Sequence, residues 1–173
     1  MSSKPAPKSP ATSSPKSPAF YSPRSLRAED SIGLLTKRAM HSIVLQVDRR
    51  LAPHDLTHAQ WVPLYKLAKG DCSTMAELAR DVALDPAAMT RALDRLEAKG
   101  LLTRVRSTED RRVVNLELTE EGERVAELVP AVLSEVFNAH LAGFTKAEWT
   151  TLVSLLQRLV ANGDALREAK EEE

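Results

Sequence analysis

The chain has 173 residues, with 24 basic and 24 acidic side chains, 43% hydrophobic and only 4% aromatic residues. That length holds one domain, or one domain with a tail, and the apolar fraction supports a packed core, while the neutral total points to no partner and can hide local asymmetry. The single Cys72 excludes an internal disulfide, no stretch approaches the roughly 18 apolar residues of a membrane span, and the basic N-terminus lacks the apolar segment of a secretory signal. The expected location is therefore the cytoplasm, with no membrane partner.

Residues 1–25 form a Ser/Pro/Lys-rich arm that holds six of the ten prolines, carries Lys4, Lys8, Lys16 and Arg24, and has no acidic residue. Such a composition buries too little apolar surface to offset its ordering entropy, so the arm is expected to be disordered; a basic arm that tracks a polyanion is the alternative. From Asp30 onward the apolar residues Ile32, Leu35, Ala39, Ile43, Val47 and Leu51 recur at three and four, the stripe of an amphipathic helix, and Pro53 ends it. "THAQ" (Thr57–Gln60) is a capping box that opens a second helix, tolerant of Pro63 in its first turns and stopped by Gly70. "TMAE" (Thr74–Glu77) opens a short third helix through Val82. The next helix has Asp85 as N-cap, Pro86 at its first position and Gly100 just past its end.

The period then changes to two. Leu102–Arg106 and Val113–Leu118 read as strands joined by the charged turn Glu109, Asp110, Arg111, Arg112. Thr119 with Glu120 and Glu121 starts a long helix that Pro130 is expected to kink or break near Ala126. "TKAE" (Thr145–Glu148) caps a last helix, expected to run to about Ala165 and followed by an acidic end. The expected fold class is mainly α with a small β-hairpin.

A short helix, a brief turn, a second capped helix and a hairpin make a winged helix-turn-helix. Its second helix fits the major groove, about 12 Å wide. Ala87, Thr90, Arg91 and Asp94 are expected to face outward, with Ala88, Ala92, Leu93 and Leu96 toward the core. Arg91 suits a bidentate contact to guanine O6 and N7. Thr74, Arg95 and Ser107 join the expected DNA face. Arg104, Arg106, Arg111 and Arg112 line the hairpin arms and tip, where an arginine suits a narrow, electronegative minor groove. Lys99–Arg112 holds five basic and two acidic residues, a local excess of three in a neutral chain. Asp94 is the uncomfortable member near phosphates, and pairing with Arg91 or Arg95 is the expected remedy.

The stretch "MAELARDVALDPAAMTRALDRLEAKGLLTRVRSTEDRRVVNLELTEEG" resembles the core of the MarR family of bacterial transcription regulators, most specifically in "LDRLEAKGL" leading into "DRRVVNLELT". The resemblance runs from about Asp30 to Asn162. It implies that Asp110 pairs with Arg112 to shape the wing while Arg111 enters the minor groove, and that two protomers interlock through their outer helices to read a pseudo-palindrome in double-stranded DNA. The apolar outer helices (Val129, Val132, Leu133, Val136, Phe137, Leu141, Leu152, Leu155, Leu156, Leu159) point independently to a homodimer. The implied division is the arm 1–25, a dimerisation helix 26–56, the winged helix-turn-helix 57–118, and C-terminal dimerisation helices with an acidic tail 119–173. The implied function is that of a repressor released by a small aromatic carboxylate or phenol, such as a hydroxybenzoate. Trp61 and Tyr65, four apart on one helix face, would roof the pocket or else pack in the core. Ser31, Arg38 and His41 would supply polar contacts, and Met40 and Val44 apolar ones. A winged-helix protein-interaction module and a non-aromatic or redox trigger are the alternatives. His54 and His58 lack a third metal ligand, Cys72 has no evident activating group, and no nucleophile–base set, phosphate loop or cofactor motif marks an enzyme.

Overall fold

The computed structural model describes residues 19–82, 85–108 and 113–171. The helices are α1 (Ile32–Leu51), α2 (His58–Lys69), α3 (Met75–Asp81), α4 (Pro86–Ala98), α5 (Glu120–Ala126), α6 (Leu128–His140) and α7 (Lys146–Glu171). A hairpin of β1 (Leu102–Arg106) and β2 (Val114–Leu118) lies between α4 and α5. The fold is thus mainly helical with a small antiparallel hairpin. The chain divides into two units, residues 1–39 and 40–173, with the boundary inside α1.

In the first unit the expected disorder does not extend through residue 25. Ser22 and Ser25 exchange hydrogen bonds in a turn, 2.7 Å between their hydroxyls. The phenol oxygen of Tyr21 accepts the N–H of Ile32 at 3.2 Å and donates to the Asp30 carbonyl at 2.8 Å. One aromatic hydroxyl thus satisfies an orphan donor at the start of α1, a tie that composition alone does not reveal. Residues 1–18 lie outside the described residues.

In the second unit the core gathers Val47 and Leu51 of α1, Leu56, Leu64 of α2, Leu78 of α3, Met89, Leu93 and Leu96 of α4, Leu102 and Leu116 of the hairpin, and Val129 and Val136 of α6. α2 packs on α4 and α5, and α3 on α4. The capping signals act as their chemistry dictates. The Thr74 hydroxyl accepts the Glu77 N–H while Glu77 accepts the Thr74 N–H at 3.1 Å, and Asp85 accepts from Ala87 and Ala88. The backbone N–H groups of Ser73 and Thr74, both donating to it, hold the Glu77 carboxyl below its ordinary range. Thr119 opens α5 by accepting the Gly122 N–H at 3.0 Å. The helix breaks after Ala126, as Pro130 requires, because proline has no N–H for the Ala126 carbonyl and its ring opposes it. α7 runs past the expected end near Ala165 to Glu171.

One expectation about the outer helices needs correction. Val129 and Val136 are fully buried in their own chain and so are not free for a partner, while Val132 and Leu133 are half-buried against the same core. The face that stays open is carried by Phe137 and by Leu155, Leu156 and Leu159, with Val160 62% exposed.

The tightest junction joins the hairpin to α5. The Thr119 N–H donates to the Leu101 carbonyl at 3.2 Å, and the Thr119 hydroxyl donates to the Gly100 carbonyl at 2.6 Å. A Cβ at Gly122 would stand 1.9 Å from the Leu101 carbonyl oxygen, so only glycine fits. Gly122→Ala is expected to destabilise the fold by about 2 kcal/mol or more through forced overpacking against backbone. Gly163→Ala on α7, where an added Cβ meets nothing within 4 Å, should be neutral or stabilising by up to about 1 kcal/mol. Urea unfolding midpoints of the two variants check this contrast.

Candidate nucleic-acid interface

α4 separates its faces cleanly. Met89, Ala92, Leu93 and Leu96 are buried and Ala88 is half-buried, while Ala87, Thr90, Arg91, Asp94 and Arg95 are exposed. The inward and outward assignments read from the sequence therefore match the observed exposure. Thr90 donates its hydroxyl to the Pro86 carbonyl at 2.9 Å, which leaves its oxygen lone pairs for an external donor. At its C-terminal end, Lys99 ties α4 back to the start of α2, with its ammonium 2.9 Å from the Asp55 carboxylate and 3.3 Å from Gln60 Oε1.

The hairpin is antiparallel, with Leu102 opposite Leu118, Arg104 opposite Leu116 and Arg106 opposite Val114. Its base is joined to the helix-turn-helix, because Leu116 donates to the Ser73 carbonyl at 2.8 Å and Thr74 bridges to Asn115. Thr74, read from sequence as a DNA-facing residue, is thus engaged as helix cap and strand bridge. Arg106 is exposed on β1, and the Ser107 N–H donates to the Val113 carbonyl at 2.9 Å. The expected tip residues Asp110, Arg111 and Arg112 lie outside the described residues.

Arg104 behaves differently from the expectation. Strand alternation puts it on the same face as the buried Leu102, toward α4. Its guanidinium reaches Asp94 Oδ1 at 2.7 Å and Glu97 Oε2 at 2.6 Å, with the side chain only 29% exposed. Asp94 is therefore partnered by Arg104 and not by Arg91 or Arg95. The sequence carried the signal: Leu102 fixes the parity of β1, and Glu97 lies one helical turn from Asp94 on α4. Lys66 does the same for the end of α3, with its ammonium 2.8 Å from Asp81. The hydrogen bond that the ammonium donates to the Asp81 carboxylate raises the Lys66 pKa.

Trp61 and Tyr65 both pack against the core. Trp61 is 7% exposed within the core, and its indole N–H donates to Asp48 Oδ1 at 3.0 Å, so its polar edge is already satisfied. Tyr65 packs against the same core, with the Lys69 ammonium 5.6 Å from its ring centre. His58 meets the Trp61 ring edge-on at 5.1 Å, and burial lowers its pKa against the opposing pull of Asp48. Asp48 is a partner the sequence reading missed. On α1, Met40 and His41 are exposed and Val44 half-buried; in the first unit, Arg38 is exposed and Ser31 accepts the Leu34 N–H at 3.3 Å as a helix cap. A separate hollow of about 200 Å³ is lined by Ser42, Gln46, Arg50, Val136, Ala139 and His140, none of them read as ligand contacts from sequence. Cys72 is buried, and its thiol pKa is raised by burial first and then by Asp81, Glu77 and Asp71, the reverse of an activated thiolate.

The MarR family model matches residues 56–114, which run from just before α2 through β1 to the first residue of β2. Among solved structures, the transcriptional regulator PA3341 is 31% identical with a TM-score of 0.71, and the match covers 78% of this chain and 99% of that one. Wild-type MarR from E. coli in its apo form is 28% identical, with a TM-score of 0.64 and coverage of 75% and 96%. A variant of E. coli MarR complexed with operator DNA is 29% identical, with a TM-score of 0.68 and coverage of 73% and 91%.

The Arg104 bridge predicts non-additivity. Arg104→Met is expected to cost about 1 kcal/mol, and Asp94→Ala to cost less in that background than alone, with a coupling of about 0.5–1 kcal/mol typical of exposed ion pairs. A double-mutant cycle from urea titrations measures it, and strict additivity would show the bridge to be idle.

Proposed function

This chain belongs to the MarR family of transcriptional regulators, and from that premise we propose that it binds operator DNA as a homodimer, each protomer laying α4 in a major groove and its hairpin along the flanking minor groove. The observation that carries this reading is the exposed face of α4, Ala87, Thr90, Arg91, Asp94 and Arg95, opposite an apolar face locked into the core. Small side chains at the helix start allow close approach to base edges, and Arg91 has the reach and fork for guanine. Arg106, Ser107, Arg111 and Arg112 supply the wing contacts, with Asp110 shaping the tip. Arg104 acts behind them by holding β1 to α4. The E. coli MarR variant solved on operator DNA supports the same use of this fold.

Under this reading residues 57–118 read DNA, and residues 26–56 and 119–173 join the protomers. The open apolar face of α7, with Leu155 48% and Leu159 43% exposed, supports dimerisation, since a partner surface would remove it from water. A dimer sets two reading heads about 34 Å apart, one turn of DNA. The further reading is repression relieved by a small aromatic carboxylate or phenol. It rests on the family resemblance, with Arg38 and His41 as the exposed polar groups suited to a carboxylate. Effector binding must favour one dimer shape by about 1–3 kcal/mol to release DNA.

Fluorescence anisotropy on duplex DNA from upstream of the protein's own gene tests both levels. Tight binding is expected, with Arg91→Ala weakening it by about 1–3 kcal/mol and relaxing base preference at one position of each half-site. Titrating a panel of hydroxybenzoates should release the DNA, and Arg38→Ala should raise the concentration required. Binding that no member of the panel reverses would retain the DNA reader and remove the aromatic trigger.

A further inference from the structure

The outward face of α4 changes character along its length. Arg91, Asp94 and Arg95 carry charge on its later turns, but between the cap Asp85 and Arg91 the exposed residues are Pro86, Ala87 and Thr90, none of them charged. Ala87 stands three residues before Thr90 and four before Arg91, so these three are neighbours on the helix surface. α3 adds a further member. Met75, its first residue, is 38% exposed, and its Sδ lies 3.4 Å from the Thr90 hydroxyl oxygen. The one hydroxyl hydrogen of Thr90 is donated to the Pro86 carbonyl at 2.9 Å. With Oγ1 held between that carbonyl and the Met75 sulfur, the rotamer is fixed. Thr90 then has no donor for guanine N7 and O6, adenine N7 or thymine O4. What it can still offer a base is its γ-methyl. With the Ala87 methyl and the Met75 thioether, that group makes a small apolar surface beside Arg91. The matching feature of the major groove is the 5-methyl group of thymine, the apolar group that those base edges carry.

We propose that Met75, Ala87 and Thr90 form a seat for the 5-methyl group of a thymine next to the guanine met by Arg91, so that Met75 of α3 takes part in base selection with α4. This rests on the DNA-binding reading given above. The contact selects by apolar burial and neutralises no phosphate, so its selectivity is independent of salt, unlike the affinity as a whole.

The test uses the full chain and the upstream duplex, with each thymine replaced in turn by deoxyuridine, which lacks only the 5-methyl group. Anisotropy should find a thymine position in each half-site where the replacement weakens binding about fourfold, the worth of one buried methyl group. That ratio should hold as salt is raised. Thr90→Ser, which keeps the hydroxyl and loses the methyl, should bind the thymine duplex about fourfold more weakly and treat thymine and deoxyuridine alike at that position. Thr90→Val, which keeps a methyl and loses the hydroxyl, should retain the preference, and Met75→Gln should reduce it. Wild-type binding that no deoxyuridine changes overturns the seat and leaves the DNA reader standing. A preference kept in Thr90→Ser and lost in Thr90→Val assigns the contact to the hydroxyl and overturns the seat as well, and a preference undiminished in Met75→Gln overturns the part of Met75. Failure of the wild type to bind the duplex overturns both the seat and the DNA reader.

Discussion

The position of the wing depends on one close approach, the backbone of Leu101 against Gly122. Just past α4 the chain turns through Gly100 at φ 67°, a left-handed conformation that glycine adopts without strain. It then offers the Gly100 and Leu101 carbonyls to Thr119 at the other end of the hairpin. The two ends of the hairpin are thereby closed on each other, and α5 is pressed onto the joint where no side chain can stand. From this clasp the strand register follows, and with it the parity that turns Leu102 and Arg104 toward α4. Arg104 then spans the gap to Asp94 and Glu97, and Ser73 and Thr74 hold the second strand from the other side. α4 and the hairpin therefore form a fixed pair.

The same arrangement manages charge. Besides Glu77, which caps α3, four carboxylates on or near α3 and α4 have internal partners. Asp81 pairs with Lys66, Asp85 caps α4, and Asp94 and Glu97 share Arg104. Their negative charge is offset before a polyanion arrives, while Arg91, Arg95 and Arg106 stay exposed.

Much of this was legible in the sequence because it is local. Capping boxes at Thr57, Thr74 and Thr145, the Asp85–Pro86 start, the break before Pro130 and the two-residue period of the strands each follow from one short stretch. The apolar period of α4 was enough to sort its inner from its outer face. What escaped depends on partners far along the chain. Asp48 lies 13 residues from the Trp61 indole it satisfies, and nothing local marks the pairing. Nothing in the sequence around Gly122 marks the Leu101 carbonyl that the fold places beside it. Tyr21 reads as part of a polar tail until α1 offers it an unsatisfied N–H. Val129 and Val136 read as interface because apolar periodicity reports burial without saying against which chain.

Hydroxyl-radical footprinting of the protein on its own upstream DNA tests whether two such helix–hairpin pairs read DNA together. Two protected patches with centres about 10 base pairs apart, on one face of the duplex and each flanked by a protected minor groove, are the predicted result. A single patch, or uniform protection without phase, would contradict it.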